Sequence, residues 1–66
     1  MGIDIMKIWI ARDLGGRLSL HCERPRYING KGWVNVWAIP DSDLFPEVTF
    51  ENSPQEVELK LFENYG

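Results

Sequence analysis

The stretch Met6-Lys7-Ile8-Trp9-Ile10-Ala11-Arg12-Asp13-Leu14-Gly15-Gly16-Arg17-Leu18-Ser19-Leu20-His21-Cys22 decides the fold class. Met6, Ile8 and Ile10 alternate with Lys7, Trp9 and Ala11. Beyond the glycine pair, Leu18, Leu20 and Cys22 alternate with Arg17, Ser19 and His21. A period of two is the side-chain period of a strand. Glycine supplies the positive φ that a tight turn between antiparallel strands needs. The stretch therefore predicts a hairpin, with strands over 5–12 and 17–22.

Downstream, Arg24-Pro25-Arg26 stops the second strand, because proline donates no hydrogen bond to a ladder and restricts the residue before it. Tyr27 to Gly32 reads as a loop around Asn29-Gly30. A third strand is expected over 33–39, with Val34, Val36 and Ala38 on one side and Trp33, Asn35, Trp37 and Ile39 on the other. Pro40 ends it. Residues 41–45 suit a capped helical turn, with Asp41 or Ser42 as N-cap and Pro46 as the stop. Residues 47–50 suit a short edge strand and 51–54 a turn. The last strand is expected over 56–62, where Val57, Leu59 and Leu61 alternate with Glu56, Glu58, Lys60 and Phe62. One apolar and one charged side is the pattern of a half-exposed antiparallel strand.

The expected architecture is mostly β: a small antiparallel four-stranded sheet or open barrel with one short helical turn. Its core would take Ile8, Ile10, Leu18, Leu20, Val34, Val36, Val57, Leu59 and Leu61, with Phe45 and Phe50 over an open end. Sixty-six residues make one domain, 1–66. We read Met6-Lys7 as the natural start and residues 1–5 as a cloned extension.

A chain this short has a thin core, and such domains lean on disulfides, metals or self-association. Cys22 is the single cysteine, so no internal disulfide forms. That leaves packing or pairing, and a homodimer is expected. A lone thiol suits a reducing compartment. Ile3 to Ala11 is apolar but short and interrupted by Asp4 and Lys7, which fits neither a signal peptide nor a membrane span. The cytoplasm is the expected location.

Net charge is −3, unevenly spread. Residues 1–40 carry six basic and three acidic side chains, and residues 41–66 carry one basic and seven acidic. Either the two halves meet and neutralise each other, or they offer a basic patch and an acidic strip to partners.

With the aliphatic side chains inward, Trp9, Trp33 and Trp37 fall on the reverse of the sheet, with Arg17, Ser19 and His21 beside them. Indoles give large contact area with a polar N–H. This face reads either as an exposed platform for a second copy or a partner, built on Trp9, Trp33, Trp37 and His21, or as a second layer covered by loops from the second half. Arg17, Arg24, Arg26 and Lys31, with the tryptophans, form a candidate anion or nucleotide pocket, because arginine grips phosphate bidentately and bases stack on indole.

Chemistry beyond binding finds little footing. His21 and Cys22 are neighbours on a strand and point to opposite faces, so they share neither a metal nor a proton. We expect Cys22 buried and His21 at a surface or interface. No second His or Cys completes a zinc site. Ser19, Ser42 and Ser53 have no base at a recognisable spacing, and the glycine pairs precede no helix. No catalytic residue, metal or cofactor is expected. Sequence-specific nucleic-acid binding is unsupported, since no recognition helix is visible and the net charge is negative.

Two segments carry a resemblance. Met6-Lys7-Ile8-Trp9-Ile10-Ala11-Arg12-Asp13 with its glycine turn, and Leu44 to Pro54 (LFPEVTFENSP) followed by Glu56-Val57-Glu58-Leu59, resemble very small proteins encoded by bacteriophages and prophages of gut bacteria. They cover about half the chain. Phe50 stands where these relatives carry Trp. The group has no settled activity, so no functional residue transfers. The resemblance implies context: such accessory proteins often bind and inhibit a host factor, including immune effectors, or sequester a signalling nucleotide. The expected function is thus a non-enzymatic inhibitor of a host anti-phage defence protein, acting through the aromatic face or the acidic strip. The alternatives are a nucleotide sponge and a phage assembly role.

Overall fold

Alternation becomes strand where the hairpin is expected. In the computed structural model, which describes residues 3–62, β1 (Ile3–Arg12) and β2 (Leu18–His21) pair antiparallel from Trp9 with His21 to Arg12 with Leu18. Asp13 builds the turn: its Oδ1 accepts from the backbone N–H groups of Gly15 and Arg17, both at 2.9 Å. Gly16 closes it at a φ of +92°.

The chain then makes a small hairpin of β3 (Tyr27–Ile28) and β4 (Gly32–Trp33) around Asn29-Gly30. After a long connection, β5 (Gln55–Phe62) returns to pair with β1 on the side away from β2, in register from Ile3 with Phe62 to Ile10 with Gln55. The order is β2-β1-β5, beside a separate two-stranded β3-β4 sheet.

The fold is therefore mostly strand and antiparallel, but three plus two strands replace the expected four-stranded sheet. The expected strand over 33–39 survives only as Trp33 in β4. Asn35, at a φ of 63°, turns the chain out of extended conformation, and it returns to β2 through one bridge, Leu20 with Ala38. The expected helical turn over 41–45 is an Asx turn instead. Asp41 Oδ1 accepts from Asp43 N–H at 2.9 Å and Leu44 N–H reaches Asp41 O at 3.0 Å. A positive φ of 52° at Phe45 then ends any helix. Residues 47–50 form no strand, because Thr49 and Asn52 close a local turn through their side chains.

Residues paired across antiparallel strands share a face. Ile8, Ile10, Leu18, Leu20 and Val57 lie on one side of the sheet, and Ile10 and Leu18 are fully buried there against Val48. Val48 comes from the 40–54 connection, which closes over this face. Each such aliphatic contributes about 1.5–3 kcal/mol by leaving water. Val34 and Val36 leave the expected core: Val34 is half-buried, and Val36 is 44% exposed because its segment is not in the sheet. Phe45 stands exposed and Phe50 half-buried. The expected core side chain of Leu61, and Met1-Gly2 of the suggested extension, lie outside what the structure describes.

Arg12, on the same face, binds the covering connection. Its guanidinium donates to the carbonyls of Val48, of Gly16 at 2.7 Å, and of Ser42, Leu44 and Phe45 at 3.1 Å each. Its backbone N–H donates to Ser53 Oγ at 2.9 Å. A planar fork with five N–H groups can satisfy several carbonyls at once, which an ammonium cannot.

Arg12→Lys should therefore lower unfolding stability by about 2–4 kcal/mol in urea titration, the loss of several charge-assisted hydrogen bonds. An effect no larger than that of a surface substitution would show the clamp to be idle. Gly16→Ala should cost about 1–2 kcal/mol through φ alone, since an added Cβ meets nothing within 4 Å there; Gly15→Ala is the control.

Candidate functional site

Trp9 and His21 share the other face of the sheet, as do Ala11 and Ser19. Ala11, Ser19 and His21 are buried, His21 completely. Their cover is the segment 22–38, not the second half of the chain. Asn35 lays its carbonyl 3.0 Å from His21 Nδ1, and Trp33 Nε1 donates to Arg12 O at 3.1 Å. His21 is thus an internal anchor and not a surface residue, while Cys22, expected inside, is exposed.

The hydrogen bonds define the ring. A carbonyl only accepts, so Nδ1 carries a proton toward Asn35 O, and Nε2 shares a hydrogen bond with Ser19 Oγ at 2.8 Å. The other acceptor near Ser19 Oγ is Ala11 O, at 3.5 Å. Ser19 has a base after all, two residues along its own strand, at a spacing the sequence reading passed over. The order of hydroxyl, imidazole and orienting carbonyl is the order of an activated nucleophile. Access to it is narrow, since Ser19 keeps 5% of its surface.

The three tryptophans do not form one platform. Trp9 is half-buried under the Arg24 guanidinium, 5.1 Å above its ring. Trp33 packs edge-on with Tyr27 at 5.2 Å, and Tyr27 with Phe50 at 5.1 Å. Trp37 is left 53% exposed. Its backbone N–H donates to Leu20 O at 2.7 Å, which fixes it along the outer edge of β2.

The basic residues also divide. Arg17 and Lys31 line one cleft of about 200 Å³ with Ser19, Trp33, Val36 and Ile39. Asp13 stands at the same cleft, so the site holds two cationic groups against one carboxylate. Arg24 is spent on Trp9, and Arg26, exposed, gives its carbonyl to Val34 N–H. Neither lines the cleft.

Two shallower hollows flank it. One lies between Gly16 and Arg17 on one side and Ile39 to Ser42 on the other, and the second lies between Cys22, Glu23 and Trp37. Ile39 is common to the first hollow and the cleft, and Val36 to the cleft and the second hollow. The segment 35–42 is therefore a ridge running past three depressions. It carries Val36, Trp37 and Ile39 at 44, 53 and 58% exposure. The sequence reading missed this ridge, having placed Val36 in the core. Among the described residues no group of three or more His, Cys, Asp or Glu could hold a metal, and no helix is long and apolar enough to cross a membrane.

Comparison with protein-family models, with curated proteins and with solved structures gave no match. The site is read from its own geometry alone.

Ser19→Ala should cost about 1 kcal/mol and His21→Ala about 2–4 kcal/mol. The double substitution should cost about 1 kcal/mol less than their sum, since the pair shares a hydrogen bond. Strict additivity in urea unfolding would show that the pair is uncoupled.

Proposed function

We propose that this chain is a small non-enzymatic binding protein of phage type that works as a homodimer in the bacterial cytoplasm and inhibits a host defence protein. The observation that carries this reading is the ridge of Val36, Trp37 and Ile39, exposed on a segment tied to the sheet at Leu20. An indole held on a fixed backbone between hollows is the form of an interface anchor, offering area at little entropic cost. The acidic strip supports a basic partner rim: Asp41, Asp43, Glu47, Glu51, Glu56 and Glu58 are all exposed. The burial of Ser19 and His21 supports a binding role over catalysis. The phage context rests on the resemblance of the hairpin and the Leu44–Leu59 segment.

A second reading has its own observation. Arg17, Lys31 and Trp33 meet at one cleft, so a signalling nucleotide could set a phosphate on the two cations and stack a base on the indole.

Affinity capture from host lysate, followed by titration of the purified captured protein, tests the first reading. Trp37→Ala should weaken binding about 30-fold or more, and unchanged affinity would remove the ridge as the anchor. Calorimetry with a panel of signalling nucleotides separates the two readings. The inhibitor reading expects no heat; heat lost in Arg17→Ala and Lys31→Ala would replace it with the sponge.

A further inference from the structure

β1 and β5 pair over eight residues, but β2 covers only Trp9 to Arg12 of β1. The rest of the β1–β5 ladder is a two-stranded ribbon extending from the sheet, in a molecule 46 Å long and 22 by 17 Å across. Two strands without a third are marginal in water. Among the described residues, the outer edge of β5 has no hydrogen-bonded neighbour. A bare edge of eight residues is a template for another strand. Met6 and Ile5 on the ribbon are 40% and 57% exposed.

We propose that β5 pairs antiparallel with β5 of a second copy, centred on Leu59, to form one continuous six-stranded sheet in the order β2-β1-β5-β5-β1-β2. The sequence of β5 selects the occupant and the register. A two-fold axis normal to the sheet keeps each residue on its own face, so a single residue must sit opposite itself. Centred on Glu58 or Lys60, the pairing sets like charges opposite one another, and centred on Val57 it sets Glu56 against Glu58. Centred on Leu59, it sets Glu58 opposite Lys60 of the second copy and Val57 opposite Leu61, with no like pair. Opposite charges across a strand pair stabilise it and like charges disfavour it.

On the intramolecular side, Glu58 already faces Lys7 and Leu59 faces Met6. The seam therefore continues two rows: a charged row of Lys7, Glu58 and the second copy's Lys60, and an apolar row of Met6, Leu59, Leu59 and Met6. No β1–β1 register of this kind sets opposite charges together, because centring on Ile5 or Met6 leaves Asp4 and Lys7 facing apolar residues. This seam gives the proposed homodimer its geometry and uses none of the Val36–Trp37–Ile39 ridge. Loss of pairing and loss of target binding are thus separate results.

The test is sedimentation equilibrium on the full chain and its charge variants, with circular dichroism to confirm the strands. Wild type should sediment at twice the chain mass at about 100 μM, as even a weak micromolar dimer would. Lys60→Glu, at the position in register with Ile5 of its own chain, should raise the dimer dissociation constant about tenfold. Adding Glu58→Lys together with Lys7→Glu, which keeps positions 7 and 58 opposite in charge, should restore pairing. In a Cys22→Ser background, Leu59→Cys should cross-link on mild oxidation, since the two introduced thiols meet on the axis. A monomer at that concentration, or a dimer indifferent to Lys60→Glu and unlinked through Leu59→Cys, would overturn the proposal.

Discussion

The structure depends on one side chain meeting five carbonyls. Arg12 stands at the end of β1, where the hairpin and both covering segments come together. Its guanidinium takes the carbonyls of Gly16, Ser42, Leu44, Phe45 and Val48, and its own carbonyl takes the indole N–H of Trp33. The 40–54 connection has little regular structure, and its internal hydrogen bonds are local turns that do not reach the sheet. Arg12 supplies the ties those turns lack, holding the connection to the end of β1 through four of its carbonyls. Phe45 shows the dependence. A bulky residue at positive φ is strained, and here its carbonyl is held by both Arg12 Nη2 and Val48 N–H.

The two covers are built differently. The cover over the aliphatic face is clamped by charge and filled by Val48. The cover over the other face is pinned by a hydrogen-bond network, with Asn35 O on His21 and His21 on Ser19. Asn35 suits its place because asparagine tolerates the left-handed region better than most residues. A three-stranded sheet has two faces to bury and, among the described residues, no helix to bury them with. Both long connections are consumed as layers, which leaves their outer side chains in solvent. That is why the exposed apolar ridge lies in a connection and not on a strand.

The opposing charges of the two halves also take on physical sense. The basic first half and acidic second half do meet, since Arg12 reaches the 40–54 connection. It does so through main-chain oxygens, leaving Asp41, Asp43 and Glu47 in solvent. Among the four other basic candidates, Arg17 and Lys31 converge on the cleft because one follows the Asp13 turn and the other the Asn29-Gly30 turn, and the two hairpins lie side by side. Arg24 and Arg26 flank Pro25, and the structure sends them elsewhere.

The sequence by itself determined the strands that alternate. It marked the β1–β2 hairpin, the glycine that turns it, the last strand, and the apolar set Ile8, Ile10, Leu18 and Val57. These are local properties: period, turn chemistry and residue volume act within a few positions. It placed Trp9, Ser19 and His21 on one face for the same reason, because register is fixed by parity. Only the tertiary structure decided what covers each face. Whether Val48 or Val36 fills the core, whether Trp33 or Trp37 stays in solvent, and whether Ser19 finds a base depend on contacts between residues far apart in the chain. Alternation at 33–39 promised a strand, but a strand needs a neighbour along its length, and Asn35 turned toward His21 instead. In the sequence Arg12 is one of several cations near strand ends. Its role came from four carbonyls brought to it by a connection whose path no local pattern encodes, with a fifth from Gly16 in its own hairpin.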